Sequence, residues 1–140
     1  DDAKVESELS SADETLLVLD SMEYSGGLTN HAAAIQDCRR TLSSTSGDSK
    51  DKNRKKFIIL VTDGAATAPH PTPEETAEKA ATQAKEDGIS IIPTFISLEY
   101  DADALAFMGR LSSDGKVFGV TDFESLNSLQ ESLLGQVSCS

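Results

Sequence analysis

The sequence predicts an α/β fold, Rossmann-like and doubly wound, with a mostly parallel central sheet and helices on both faces. Three observations lead there. Strand and helix signals alternate along the chain, as βαβ crossovers require. Phe57-Ile58-Ile59-Leu60-Val61 is an unbroken apolar run, too short for a helix, which fits a strand covered on both faces. Residues 89–96 read as another buried strand, interrupted by Pro93, and an Ala-rich helical stretch separates the two.

Ala3, Val5, Ser7 and Leu9 alternate with charged residues, as on a half-exposed strand. Ser11 and Glu14 have the spacing of a capping box. Leu16, Leu19 and Met22 then recur at helical intervals, which predicts a helix over 12–21. Tyr24-Ser25-Gly26-Gly27-Leu28-Thr29-Asn30 reads as a loop. Beyond it Ala32, Ile35, Cys38 (or Arg39) and Leu42 mark a second helix. Residues 42–56 are polar with no apolar period, the pattern of a solvated surface loop.

Pro69, Pro71 and Pro73 keep the segment after the first apolar run out of regular structure. Thr72 and Glu75 form a second capping box around Pro73, starting a helix over 74–87 that Gly88 ends. Pro93 removes a ladder donor from the strand over 89–96, which is therefore expected to bulge or lie near an edge. A helix over 101–111 and a short strand over 116–120 follow. Thr121 and Glu124 cap a last helix with Leu126, Leu129, Leu133 and Val137 on one face.

The 140 residues are one domain's worth, and 38% hydrophobic with 26% charged residues is ordinary globular usage. No stretch approaches the ~20 apolar residues of a membrane span. Asp1-Asp2-Ala3-Lys4 has no signal-peptide character, which says little about secretion. A net charge of −12 repels phosphate backbones, so nucleic acid is not an expected partner. Divalent cations or basic partners suit it better, unless the acidity serves only solubility. Two cysteines are too few for a disulfide-built scaffold. Cys139 stands where a bridge would close the end of a domain; its partner is Cys38, a cysteine elsewhere, or none.

Two loops carry the chemistry. Gly26-Gly27-Leu28-Thr29-Asn30 leads into an Ala-rich helix, and Thr62-Asp63-Gly64 ends the apolar strand. In their order and separation, and with the closing Val117-Phe118-Gly119-Val120 strand and Leu-rich helix, they resemble the von Willebrand factor type A (VWA) domain. The resemblance covers nearly the whole chain. It implies a metal-ion-dependent adhesion site (MIDAS) in which Thr29 and Asp63 stand near a cation, Mg²⁺ or alternatively Mn²⁺ or Ca²⁺. Gly26, Gly27 and Gly64 would shape the backbone of its loops. An acidic residue of a protein ligand would complete the coordination. The chemistry agrees, since a hard cation takes hydroxyl and carboxylate oxygens in near-octahedral array.

One family feature is missing. The first loop, Asp-x-Ser-x-Ser, supplies the main direct ligands and occurs nowhere in the sequence. Leu19-Asp20-Ser21 imitates it, but Met22-Glu23 follows, and the segment reads as the end of a helix. Residues 1–9 resemble the family's third strand, so residues 1–140 are expected to lack the first strand, first helix and second strand. Those strands would come from upstream sequence or from another chain, and the cation would bind only where the absent loop is supplied. Each buried backbone group left unpaired costs about 1–3 kcal/mol, so the 140 residues alone are not expected to form a stable monomer.

Plainer roles compete with these. Asp63 suits a turn, Thr29 or Asn30 suits a helix cap, and His31 and His70 suit exposed positions. Glu74, Glu75, Glu78 and Glu86 suit a solvated helix face. Enzyme readings fail on particular residues. Thr62-Asp63-Gly64 resembles a phosphatase strand of the haloacid dehalogenase type, but Val61 occupies the nucleophile position. No Gly-x-Gly-x-x-Gly follows a strand. The function implied is cation-dependent protein binding in cell-surface or extracellular-matrix adhesion, without membrane insertion by this segment. The alternatives are a structural module of an extracellular assembly with an inactive metal site, and an intracellular scaffold.

Overall fold

The structure, a computed structural model, describes residues 11–22, 27–44, 55–97, 99, 101–122, 125, 129, 132 and 135. Its elements are α1 (Ala12–Ser21), α2 (His31–Ser44), β1 (Lys56–Thr62), α3 (Pro73–Glu86), β2 (Ile89–Ile96), α4 (Ala102–Leu111) and β3 (Phe118–Val120). The strands form one parallel sheet in the order β1-β2-β3, with Ile58 opposite Ile91 and Thr94 opposite Phe118. Two crossovers, through α3 and α4, connect them. This is the Rossmann-like α/β arrangement that the alternating pattern predicts.

Capping sets where the helices start. Ser11 and Glu14 form the expected box: the Ser11 N–H donates to Glu14 Oε2 at 3.0 Å, and the Glu14 N–H to Ser11 Oγ at 3.3 Å. Asp101 caps α4 by accepting the Ala104 N–H at 2.9 Å. The box predicted for Thr72 and Glu75 does not form. Thr72 sits at φ −126°, ψ 68°, away from the extended geometry that aims a capping oxygen, and its side chain makes no cap bond. Near the last predicted box Asp122 accepts the Ser125 N–H at 2.7 Å, while Glu124 of that box lies outside the described residues. Gly88, at φ 76°, stops α3 in a conformation that disfavours other residues.

Pro93 neither bulges β2 nor sits at an edge, because β2 is the central strand and its register is continuous. The reason lies in which side its nitrogen faces. Ile91 exchanges hydrogen bonds with Ser113, on the β3 side. Backbone groups alternate sides along a strand, so the nitrogen of Pro93 faces the β3 side as well. Pairing with β3 starts only at Thr94, so the missing donor falls in a gap.

One face of the sheet carries the core. Ile58 and Leu60 of β1 and Ile89 and Ile91 of β2 pack with Ala32 and Ile35 of α2, the alanines of α3, and Phe107, Met108 and Leu111 of α4. Ala77, Ala80, Ala81 and Ala84 are small enough to bring α3 close to the sheet. Exposed ion pairs lace the outer surface: Arg39 with Asp87 at 2.6 Å, and Arg110 with Glu78 at 2.6 Å and Glu74 at 3.1 Å. Glu74 and Glu78 therefore bridge to α4 rather than simply facing water. At this exposure such pairs contribute little.

The other face corrects an expectation. Ile92, Thr94 and Ile96 are buried there, but Ile59 and Val61 of β1 are 46% and 48% exposed. The apolar run of β1 is thus not covered on both sides. Among the described residues β2 is the only strand that pairs with β1. On α1 and just after it, Leu16, Leu17 and Met22 are exposed as well.

Several expectations lie outside the described residues: the strand over 3–9, Gly26, most of the loop over 42–56, Cys139, and Leu126, Leu133 and Val137 of the final helix. Leu129, Ser132 and Gly135 are helical, and Leu129 is half-buried.

Phe107 is wholly buried at the centre of the core, so Phe107→Ala should cost about 3–5 kcal/mol in urea unfolding. A loss below about 1 kcal/mol would mean that the core is not the one described here.

Candidate functional site

β1 ends at Thr62, whose side chain is buried under the turn that follows. Its Oγ1 donates to the Gly64 carbonyl at 3.0 Å and accepts the Gly64 N–H at 3.3 Å. Both backbone groups of Gly64 are thereby folded back on residue 62, and Asp63 is left exposed at the apex. Gly64 has no positive φ and would meet nothing within 4 Å as an alanine. Gly27 differs: at φ 116° it takes a backbone conformation that L side chains rarely adopt.

The second loop docks directly on the segment beyond Asp63. The Thr29 N–H donates to Thr67 Oγ1 at 2.8 Å. The Thr29 carbonyl accepts from the N–H groups of Thr67 and Ala68, at 2.9 and 3.1 Å. Asn30 then caps α2, accepting the Ala33 N–H at 3.0 Å. This settles the competition for the cap and leaves the Thr29 hydroxyl outside it. Among the described residues, neither that hydroxyl nor the Asp63 carboxylate makes a hydrogen bond or ion pair. The structure thus places Thr29 and Asp63 on two loops that meet at the carboxyl end of β1.

His31 holds the same junction from below. It is not exposed, as expected of a lone histidine at a helix start, but buried with 3% of its surface accessible. Its Nε2 lies 3.1 Å from Thr62 Oγ1, and its ring stacks on Phe107 at 5.8 Å between centroids. Its Nδ1 is buried with no hydrogen-bond partner. Burial holds the imidazole pKa below its ordinary value. The sequence carried a faint sign of this, because His31, Ala32 and Ile35 share the inward face of α2. Thr67 gave none, since its role depends on a contact 38 residues away.

Thr29 and Asp63 have the hard oxygen donors that Mg²⁺ or Mn²⁺ prefers, but they are two donors toward a shell of about six. They fit part of such a site and not the whole. No cluster of three His, Cys, Asp or Glu side chains suited to a metal occurs among the described residues. Cys38 is an exposed free thiol on α2, while its proposed disulfide partner Cys139 lies outside the described residues. A shallow cavity of about 280 Å³, lined by Lys55, Phe57, Ser90, Asp114 and Phe118 among others, opens at the opposite end of β1.

A parallel α/β layer with two loops joined beyond a strand's carboxyl end is a recurrent ligand-binding architecture. The profile of the von Willebrand factor type A domain matches residues 1–132, and the chain belongs to that family. Two solved structures of proximal thread matrix protein 1 from the mussel byssus are similar to it. One superposes with a TM-score of 0.68 at 21% identity over 89% of this chain, and the other, with a zinc-occupied MIDAS motif, with 0.68 at 21% over 87%. At that identity the likeness is one of fold. The chain spans about 30% of those proteins. Among the described residues no helix is long and apolar enough to cross a membrane.

The buried imidazole predicts a pH dependence of stability. In the unfolded chain the ring takes up a proton as pH falls through about 6.5, and in the folded chain only at lower pH. The unfolded state therefore binds more protons in that interval, so stability falls on acidification below about 6.5. Urea unfolding at a series of pH values should show this slope in the wild type, and His31→Phe should flatten it. An unchanged slope in the variant would contradict the assignment.

Proposed function

We propose that this domain binds a protein ligand through a divalent cation held in part by Thr29 and Asp63. VWA domains are in general non-enzymatic interaction modules. One observation carries the reading. A hydroxyl and a carboxylate, neither engaged among the described residues, stand on two loops tied together by the Thr29–Thr67 and His31–Thr62 contacts. When bound, the cation supplies a positive centre that an acidic side chain of the ligand can coordinate. Mg²⁺ is the ion we favour, with Mn²⁺ as a replacement. The zinc-occupied MIDAS of the mussel protein supports a metal at this rim. That protein's place in the byssus supports an extracellular or cell-surface setting.

Completion of the site and completion of the sheet go together in this proposal. A loop from upstream sequence or another chain brings the serine ligands of the family's Asp-x-Ser-x-Ser motif, which these 140 residues lack. A strand, from the same polypeptide or another, pairs along the edge of β1 away from β2 and covers Ile59 and Val61. Ile59→Ala should then cost about 2–5 kcal/mol in the full natural chain, against under about 1 kcal/mol where that face stays in water.

A second reading rests on the donor count. One carboxylate among the described site residues also suits a structural module whose metal loop is silent. Calorimetric titration of the full natural chain with Mg²⁺ separates the two. The adhesion reading predicts saturable binding that Asp63→Ala abolishes, with loss of ligand capture in chelator. Ligand capture that survives both treatments would leave the structural reading.

A further inference from the structure

The Thr62 hydroxyl has one proton and three polar neighbours. It donates that proton to the Gly64 carbonyl at 3.0 Å, so it accepts from both the Gly64 N–H and the ring nitrogen of His31. Nε2 of His31 therefore carries the imidazole proton, and Nδ1 is the bare nitrogen. The alternative tautomer would turn the Thr62 proton toward Nε2, strip the Gly64 carbonyl of its donor, and bury an N–H at Nδ1 with no partner. Unpaired buried donors are rarer than unpaired acceptors. The hydrogen-bond count thus selects one tautomer, and burial with stacking on Phe107 holds the ring in place.

The consequence falls on Asp63. Thr62 grips both backbone groups of Gly64, and Asp63 is the residue between them. His31 belongs to the helix that begins two residues after Thr29, whose own backbone is fixed by Thr67 and Ala68. We propose that His31, as the Nε2–H tautomer acting through Thr62, is the positioning residue that sets the Asp63 carboxylate relative to the Thr29 hydroxyl. It rests on the cation-binding reading above and adds a residue that touches neither the ion nor its ligand. The Nε2–H donor restrains the Thr62 hydroxyl, the hydroxyl restrains Gly64, and the turn keeps Asp63 at its apex.

Two measurements on the full natural chain test this. Long-range ¹H–¹⁵N correlation at neutral pH should show His31 as the neutral Nε2–H form; an Nδ1–H tautomer would overturn the proposal whether or not metal binds. Free Mn²⁺ measured by electron paramagnetic resonance then gives affinity. His31→Phe, which keeps the stacking and removes the donor, and Thr62→Val should each weaken Mn²⁺ by about tenfold or more, while His31→Gln, which keeps an N–H near the Nε2 position, should stay within about threefold. The double variant of His31→Phe and Thr62→Val should lose no more than the worse single one, since both cut the same link. Wild-type affinity in a folded His31→Phe would overturn the positioning role while leaving the cation-binding reading intact. A wild-type chain with the expected tautomer and no Mn²⁺ binding would overturn both.

Discussion

Backbone groups that leave the end of a buried parallel strand must find partners, and here they find them across loops. The carbonyl and N–H of Thr29 are bonded by residues 67 and 68, far away in sequence and next to the turn that carries Asp63. These bonds, with the His31–Thr62 contact beneath them, tie the two loops together. The same arrangement explains why Asp63 faces outward: residue 62 captures the backbone on its far side, and no described group captures its carboxylate.

The same strand joins the site to the open part of the sheet. β1 delivers Asp63 at one end and exposes Ile59 and Val61 along one face, with its outer edge unpaired among the described residues. On its inner face Ile58 and Leu60 belong to a core shared with three helices. An occupant of the open face would therefore touch the strand that positions the carboxylate. In the proposed reading, this shared element links sheet completion to site formation.

The fold was legible because its signals are local. The Ser11–Glu14 box, the apolar runs of β1 and β2, the Gly88 stop and the small residues of α3 each act within a few positions. What failed depended on neighbours. Continuous apolarity in β1 suggested two covered faces, but periodicity cannot reveal whether a second layer is present. Pro93 suggested an edge, but the side its nitrogen faces depends on where β3 begins. Thr72 had the right spacing for a cap and the wrong backbone angles. At the site, Thr29 and Asp63 could be named from motif resemblance, whereas His31 and Thr67 depend on contacts spanning more than 30 residues.

The central claim is that Thr29 and Asp63 face one cation. Crystals of the full natural chain grown with Mn²⁺ would test it most directly, by anomalous diffraction near the manganese edge. The account predicts an anomalous peak at the carboxyl end of β1, within coordination distance of the Thr29 hydroxyl or the Asp63 carboxylate directly or through one water. Manganese bound only elsewhere, with both side chains turned away from a common centre, would contradict it.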